Sequence, residues 1–109
     1  MQIRKTYSEV NPELLYAEIR DFTLKQGVSL GENKLETYTL PDQSASFIAR
    51  GTLTFKAESG KECLRVHVVG SARGETKLML DADEALFPKE KVSALQDDLD
   101  FIFGSYEVK

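Results

Sequence analysis

From Ser46 to Lys56 the chain alternates. Phe47, Ala49, Gly51, Leu53 and Phe55 are apolar or small, and Ser46, Arg50, Thr52, Thr54 and Lys56 between them are polar, with Ile48 the exception. Period two over this length predicts a strand with one buried and one wet face. Such a strand needs neighbours at its edges and a second layer over its apolar side, which constrains the elements around it.

The rest of the pattern supplies them. Gln2 to Glu9 alternates weakly, with Ile3 and Tyr7 opposite Arg4, Thr6 and Ser8, as in a short strand near a sheet edge. Asn11-Pro12-Glu13 carries a capping side chain, a proline suited to the first helical position and an early acid. Leu15, Ile19 and Phe22 then recur at helical spacing, flanked by Leu14 and Ala17, so a helix is expected from Pro12 to about Gln26, stopped by Gly27. Gly31-Glu32-Asn33 reads as a loop, Lys34 to Leu40 as a strand, and Pro41 to Ser44 as the turn that ends it.

After the alternating strand, Ala57 to Lys61 is short enough to require a hairpin. The next strand, Cys63 to Gly70, directs Leu64, Val66 and Val68 to one side and Cys63, Arg65 and His67 to the other, with Val69 out of pattern. A second hairpin at Gly70 to Gly74 leads into Glu75 to Ala82, with Leu78 and Leu80 inward and Lys77, Met79 and Asp81 outward. The last element begins near Pro88 and ends at Gly104. There Val92, Leu95, Leu99 and Ile102, widened by Ala94 and Phe103, form an amphipathic helical stripe opposite Glu90, Gln96, Asp97, Asp98 and Asp100. In the tail, Tyr106 and Val108 are the residues suited to docking, and the acidic runs 81–84 and 97–100 read as solvated surface.

The order is therefore β-α-β-β-β-β-α, an α+β two-layer sandwich in which both helices cover one face of an antiparallel sheet. The opening segment, Y-S-E-V-N-P-E-L-L-Y-A-E-I-R-D-F from Tyr7 to Phe22, and this element order resemble the helix-grip arrangement. That arrangement is shared by the TATA-box-binding-protein repeat and, enlarged, by the plant-allergen, START and polyketide-cyclase superfamily. The resemblance implies a sheet curved around a helix, with room for a ligand between them. This chain departs from the larger members in being shorter and lacking the extra helix and two strands that build their deep cavity. A cystatin-like or nuclear-transport-factor-like sheet shares most of the order but leaves the C-terminal helix unaccounted for.

Composition narrows the function classes. At 109 residues, 41% of them hydrophobic and 29% charged, the chain suits one ordinary globular domain spanning residues 1–109. A net charge of -4 argues against nucleic acid as a partner. The single cysteine, Cys63, excludes an internal disulfide and any multi-cysteine metal site, and reads as a small half-buried strand residue. No apolar run is long enough for a signal-peptide core or a membrane span, so a cytoplasmic location is expected. No cofactor and no metal is implied. His67 is the sole histidine, and nucleophile-elbow and phosphate-loop motifs are absent. No catalytic residue is assigned, and an enzyme of the cyclase type built on His67 ranks last.

Two binding readings remain. In the first, Gly51 in mid-strand leaves room for a small apolar or amphipathic ligand lined by Phe47, Leu53, Phe55 and Val66, with Leu78, Leu95 and Leu99 from the flanking strand and last helix. Packing of the same residues as core is the competing interpretation. In the second, Arg50, Arg65, His67 and Lys77 gather on the wet sheet face by parity, interleaved with Ile48, Val69 and Met79, and dock another protein or a second copy as a homodimer. His67 would take its useful partner, Asp81, across the hairpin.

Overall fold

A computed structural model describes residues 1–39, 47–71 and 74–108. Strand β1, Gln2–Ser8, leads into helix α1, Pro12–Leu24; then come β2, Ser29–Thr39, β3, Phe47–Lys56, β4, Glu62–Gly70, and β5, Glu75–Ala82. Helix α2, Lys89–Phe103, and a short 3-10 turn, Gly104–Tyr106, complete the chain. All pairings are antiparallel, in the order β1-β5-β4-β3-β2. The expected α+β arrangement and its element order are those observed. The meander β2 to β5 follows from its short connections, and β1 joins the far side of β5 because α1 carries the chain across the sheet between β1 and β2.

Local chemistry explains α1. Asn11 Oδ1 accepts the Glu13 amide at 2.8 Å, and Pro12 follows it at the first helical position. Glu9, at φ 61, turns the chain from β1 into the cap, a left-handed conformation that costs a residue with a Cβ about 1–2 kcal/mol. The helix ends two residues earlier than its pattern suggests, and Gly27, at φ 87, completes the reversal. Its buried face is Leu15, Tyr16, Ile19 and Thr23; Phe22 is half-buried and Leu14 is exposed.

One core joins the layers. Tyr7, Leu15, Ile19, Leu53, Phe55, Val66, Leu78, Leu80, Phe87, Leu95 and Leu99 lie within it, each 2% exposed or less. At about 1.5–3 kcal/mol for each large apolar side chain removed from water, this burial dominates the folding free energy.

Several expectations need correction. The triplet Gly31-Glu32-Asn33 is part of β2, which bulges between Leu30 and Asn33 and continues to pair with β3. The Thr54 hydroxyl accepts the Glu32 amide at 2.6 Å there, replacing a ladder acceptor and burying Thr54 on the nominally wet side. Cys63 is not on the wet face. The register moves from Phe55↔Leu64 to Lys56↔Glu62, so Cys63 is the extra residue of a second bulge; it is 1% exposed and donates to the Phe55 carbonyl at 3.4 Å. On α2 the fourth core position is Phe103, packed edge-on against Tyr7 with ring centroids 6.1 Å apart, while Ile102 is exposed. Tyr106 and Val108 are also exposed. The tail is held instead by Glu107, which bridges Tyr7 in strand fashion. The expected turn from Pro41 to Ser44, with Leu40 and Ser46 beside it, lies outside the described residues, as do Ala72 and Arg73 of the second hairpin.

Candidate functional site

Alternation on five strands collects one set of side chains on the face away from the helices. The register arranges them in rows: Glu36, Arg50, Val69, Lys77 and Thr6 in one, and Lys34, Thr52, His67, Met79 and Arg4 in the next. Thr54, Arg65, Asp81 and Gln2 form a third. Arg50, Arg65, His67 and Lys77 are thus brought to one surface. Arg4 belongs with them, and the reading of the chain missed its membership because it requires β1 to lie beside β5.

These cations differ in what they face. Arg65 is committed, with Nε and Nη2 donating to the two Glu62 carboxylate oxygens at 3.2 and 2.9 Å. That pairing holds its guanidinium above its ordinary range. Arg4, Arg50 and Lys77 form no ion pair among the described residues. His67 Nδ1 is hydrogen-bonded to the Thr52 hydroxyl at 3.2 Å, with Met79 opposite on the other side, so Asp81 is not the partner that orients it.

Between β1, β5 and β4 the face sinks into an open depression of about 590 Å3, edged by Arg4, Thr6, His67, Val69, Lys77 and Met79. Lys5 and Leu78 also border it. Their side chains point to the helix layer, so their main chain forms the floor. Half-buried Val69 and Met79 supply an apolar centre, and Arg4 and Lys77 a cationic rim.

The opposite layer is filled at Gly51. A Cβ built there would lie 2.5 Å from Tyr16 Cδ2 and 2.7 Å from Cε2, so the glycine admits the Tyr16 ring. The Tyr16 hydroxyl donates to Asn33 Oδ1, fixing the ring over the strand. Leu53, Phe55, Val66, Leu78, Leu95 and Leu99 are buried in the core, and Phe47, at the strand end, is half-buried.

Some polar groups within the helical layer are paired across elements, whereas the buried hydroxyls of Tyr7 and Thr23 have no hydrogen-bond partner among the described residues. Lys5, with 12% of its side chain exposed, reaches Asp100 at 3.1 Å and Glu107 at 3.3 Å. Burial opposes its charge, the two carboxylates outweigh burial, and its ammonium is held above its ordinary range. Burial, reinforced by Glu107 and Asp100, pushes the Tyr7 hydroxyl up. Asp98, expected on the wet face, is half-buried against α1, with Oδ2 lacking a donor. Glu18 is raised to about 7, because its carboxyl can donate a hydrogen bond to Asp98 only when protonated and burial also disfavours its charge.

Among the described residues no group of three or more His, Cys, Asp and Glu is placed to hold a metal ion, and no helix is long and apolar enough to cross a membrane. No family model matches this chain, and comparison with curated proteins and with solved structures likewise gives no match.

Proposed function

We propose that this chain is a non-catalytic interaction module whose open sheet face docks an acidic surface of another protein. The observation that carries this reading is the depression between β1, β5 and β4, where Arg4 and Lys77 face solvent without ion pairs among the described residues beside half-buried Val69 and Met79. An apolar centre with a charged rim is the usual composition of a docking patch, and the cations would both steer an acidic partner and fix its register. The helix-grip likeness is compatible with this use. The space over Gly51 is filled by Tyr16 of α1, so a small ligand placed there would have to displace that ring, and packing favours the open face.

Titration of isotope-labelled protein with a synthetic peptide rich in Asp and Glu around a leucine tests the reading. Amide shifts should cluster at Arg4, Thr6, His67, Val69, Lys77 and Met79, weaken with salt and disappear in an Arg4→Glu/Lys77→Glu variant. Shifts confined to the helices, or none at millimolar peptide, would refute it.

A further inference from the structure

The chain treats the two edges of its sheet differently. On the outer side of β1 the tail returns: Glu107 bridges Tyr7, the Val108 amide donates to the Thr6 carbonyl at 2.7 Å, and Lys5 clamps Glu107. No described segment covers the outer side of β2 in this way. Beyond its bulge, β2 is regular from Asn33 to Thr39, with Leu35 39% and Tyr38 48% exposed. An edge of this length presents a row of outward N–H and C=O groups able to pair with another strand.

The side chains select the partner and the register. When a strand pairs antiparallel with its own copy about a two-fold axis, paired residue numbers have a constant sum, and only axes centred on a residue keep each pair on one face. An axis on Lys34 sets lysine against lysine, and one on Glu36 sets glutamate against glutamate. An axis on Thr37 leaves Lys34 with no acid opposite and runs beyond the end of β2. On Leu35 the pairs from Asn33 to Thr37 all agree: Leu35 meets its copy on the helix side, Lys34 meets the second copy's Glu36 twice on the open side, and Asn33 meets Thr37, while Tyr38 and Thr39 reach the bulged Glu32 and Gly31. Lys34 contacts Glu36 at 3.4 Å, with side chains 62% and 43% exposed, and Glu36 also accepts the Tyr38 hydroxyl at 2.9 Å; both are exposed contacts within one strand that a partner across the edge can replace.

We propose that β2 pairs with β2 of a second copy about an axis at Leu35, joining two five-stranded sheets into one continuous sheet with all helices on the same side. The two open faces then lie side by side on one surface, which makes the module divalent. This stands apart from the docking reading above, because it uses the edge and not the cations of the depression.

Sedimentation of the full chain from micromolar to millimolar concentration should show a monomer–dimer equilibrium. Lys34→Glu places four carboxylates at the axis and Glu36→Lys places four cations there, and each should weaken the dimer by at least about tenfold. Mixing the two variants should restore association as a heterodimer, since each then faces the opposite charge, while Arg4→Glu/Lys77→Glu should leave the wild-type equilibrium intact. Circular dichroism should show both single variants folded, as expected for changes at exposed positions. A wild-type monomer at millimolar concentration, single variants that dimerise like wild type, a mixture that stays monomeric, or a dimer lost on Arg4→Glu/Lys77→Glu would each overturn the proposal.

Discussion

Replacing Gly51 with alanine tests the contact on which the helix–sheet packing turns. The added methyl would sit 2.5 Å from Tyr16 Cδ2 and 3.2 Å from Leu35 Cδ1, well inside ordinary contact with the ring. Tyr16 is 2% exposed and tied through its hydroxyl to Asn33, so the ring cannot tilt away without opening a gap or losing that hydrogen bond. Overpacking of this kind costs about 1–3 kcal/mol. Against it, alanine is favoured over glycine in a strand by about 0.5–1 kcal/mol. The balance is a net loss of about 1–2 kcal/mol, which at a urea slope of about 1.5 kcal/mol/M lowers the unfolding midpoint by about 1 M. Tyr16→Ala alone should cost about 3–5 kcal/mol through the cavity it leaves. In that background Gly51→Ala should become neutral or stabilising, because the methyl then enters free space. Urea melts of the four proteins of this cycle read the coupling directly. If Gly51→Ala matches wild type in stability, or if the two changes are additive, the space over Gly51 is not held by Tyr16 and the packing argument is refuted.

Three further outcomes are expected. Glu18, with a folded value near 7 against 4.5 unperturbed, binds its proton more tightly in the folded chain. Its contribution is therefore complete below pH 4.5 and is lost as pH rises through about 7. After discounting for solvent screening this amounts to about 1 kcal/mol. Urea midpoints across that range should show it, Glu18→Gln should remove it, and an unchanged pH slope in that variant would contradict the assignment. Lys5→Met should leave Asp100 and Glu107 without their cation, lower stability by about 1–2 kcal/mol, and speed amide exchange at Glu107 and Val108; exchange at the wild-type rate would mean that the ion pairs do not hold the tail. Cys63, 1% exposed and with its thiol pushed up by burial, should react with thiol reagents only as fast as the chain unfolds, whereas prompt reaction in native buffer would contradict its placement.

What could be read along the chain was what depends on neighbours in sequence. The cap at Asn11, the turn of Gly27, the alternation of β3, β4 and β5 and the core stripe of α2 are local consequences of residue type and period, so the element order and the side facing the helices followed from them. Placing Arg50, Arg65, His67 and Lys77 on one face needed only parity. Where the outcome depended on contacts far apart in sequence, local signals failed. Gly31-Glu32-Asn33 looks like a loop because a bulge resembles one until Thr54 supplies the missing acceptor. Cys63 changes side because an irregularity in pairing overrides alternation. Asp98 leaves the solvated class through Glu18, a residue separated from it by most of the chain, whereas Asp100 stays half exposed while pairing with the equally distant Lys5.

The candidate face divides along the same line. Its cations are a property of sequence parity; the depression, its rim residue Arg4 and the Thr52 partner of His67 exist only because β1 lies beside β5 and β3 beside β4. Tertiary structure likewise determined that Gly51 admits Tyr16, since a glycine in a strand announces a close approach without naming what approaches. It also left β2 as the edge without a covering strand among the described residues, because the tail returns to β1. Periodicity fixes which way a side chain faces, whereas the strand order determines what it meets.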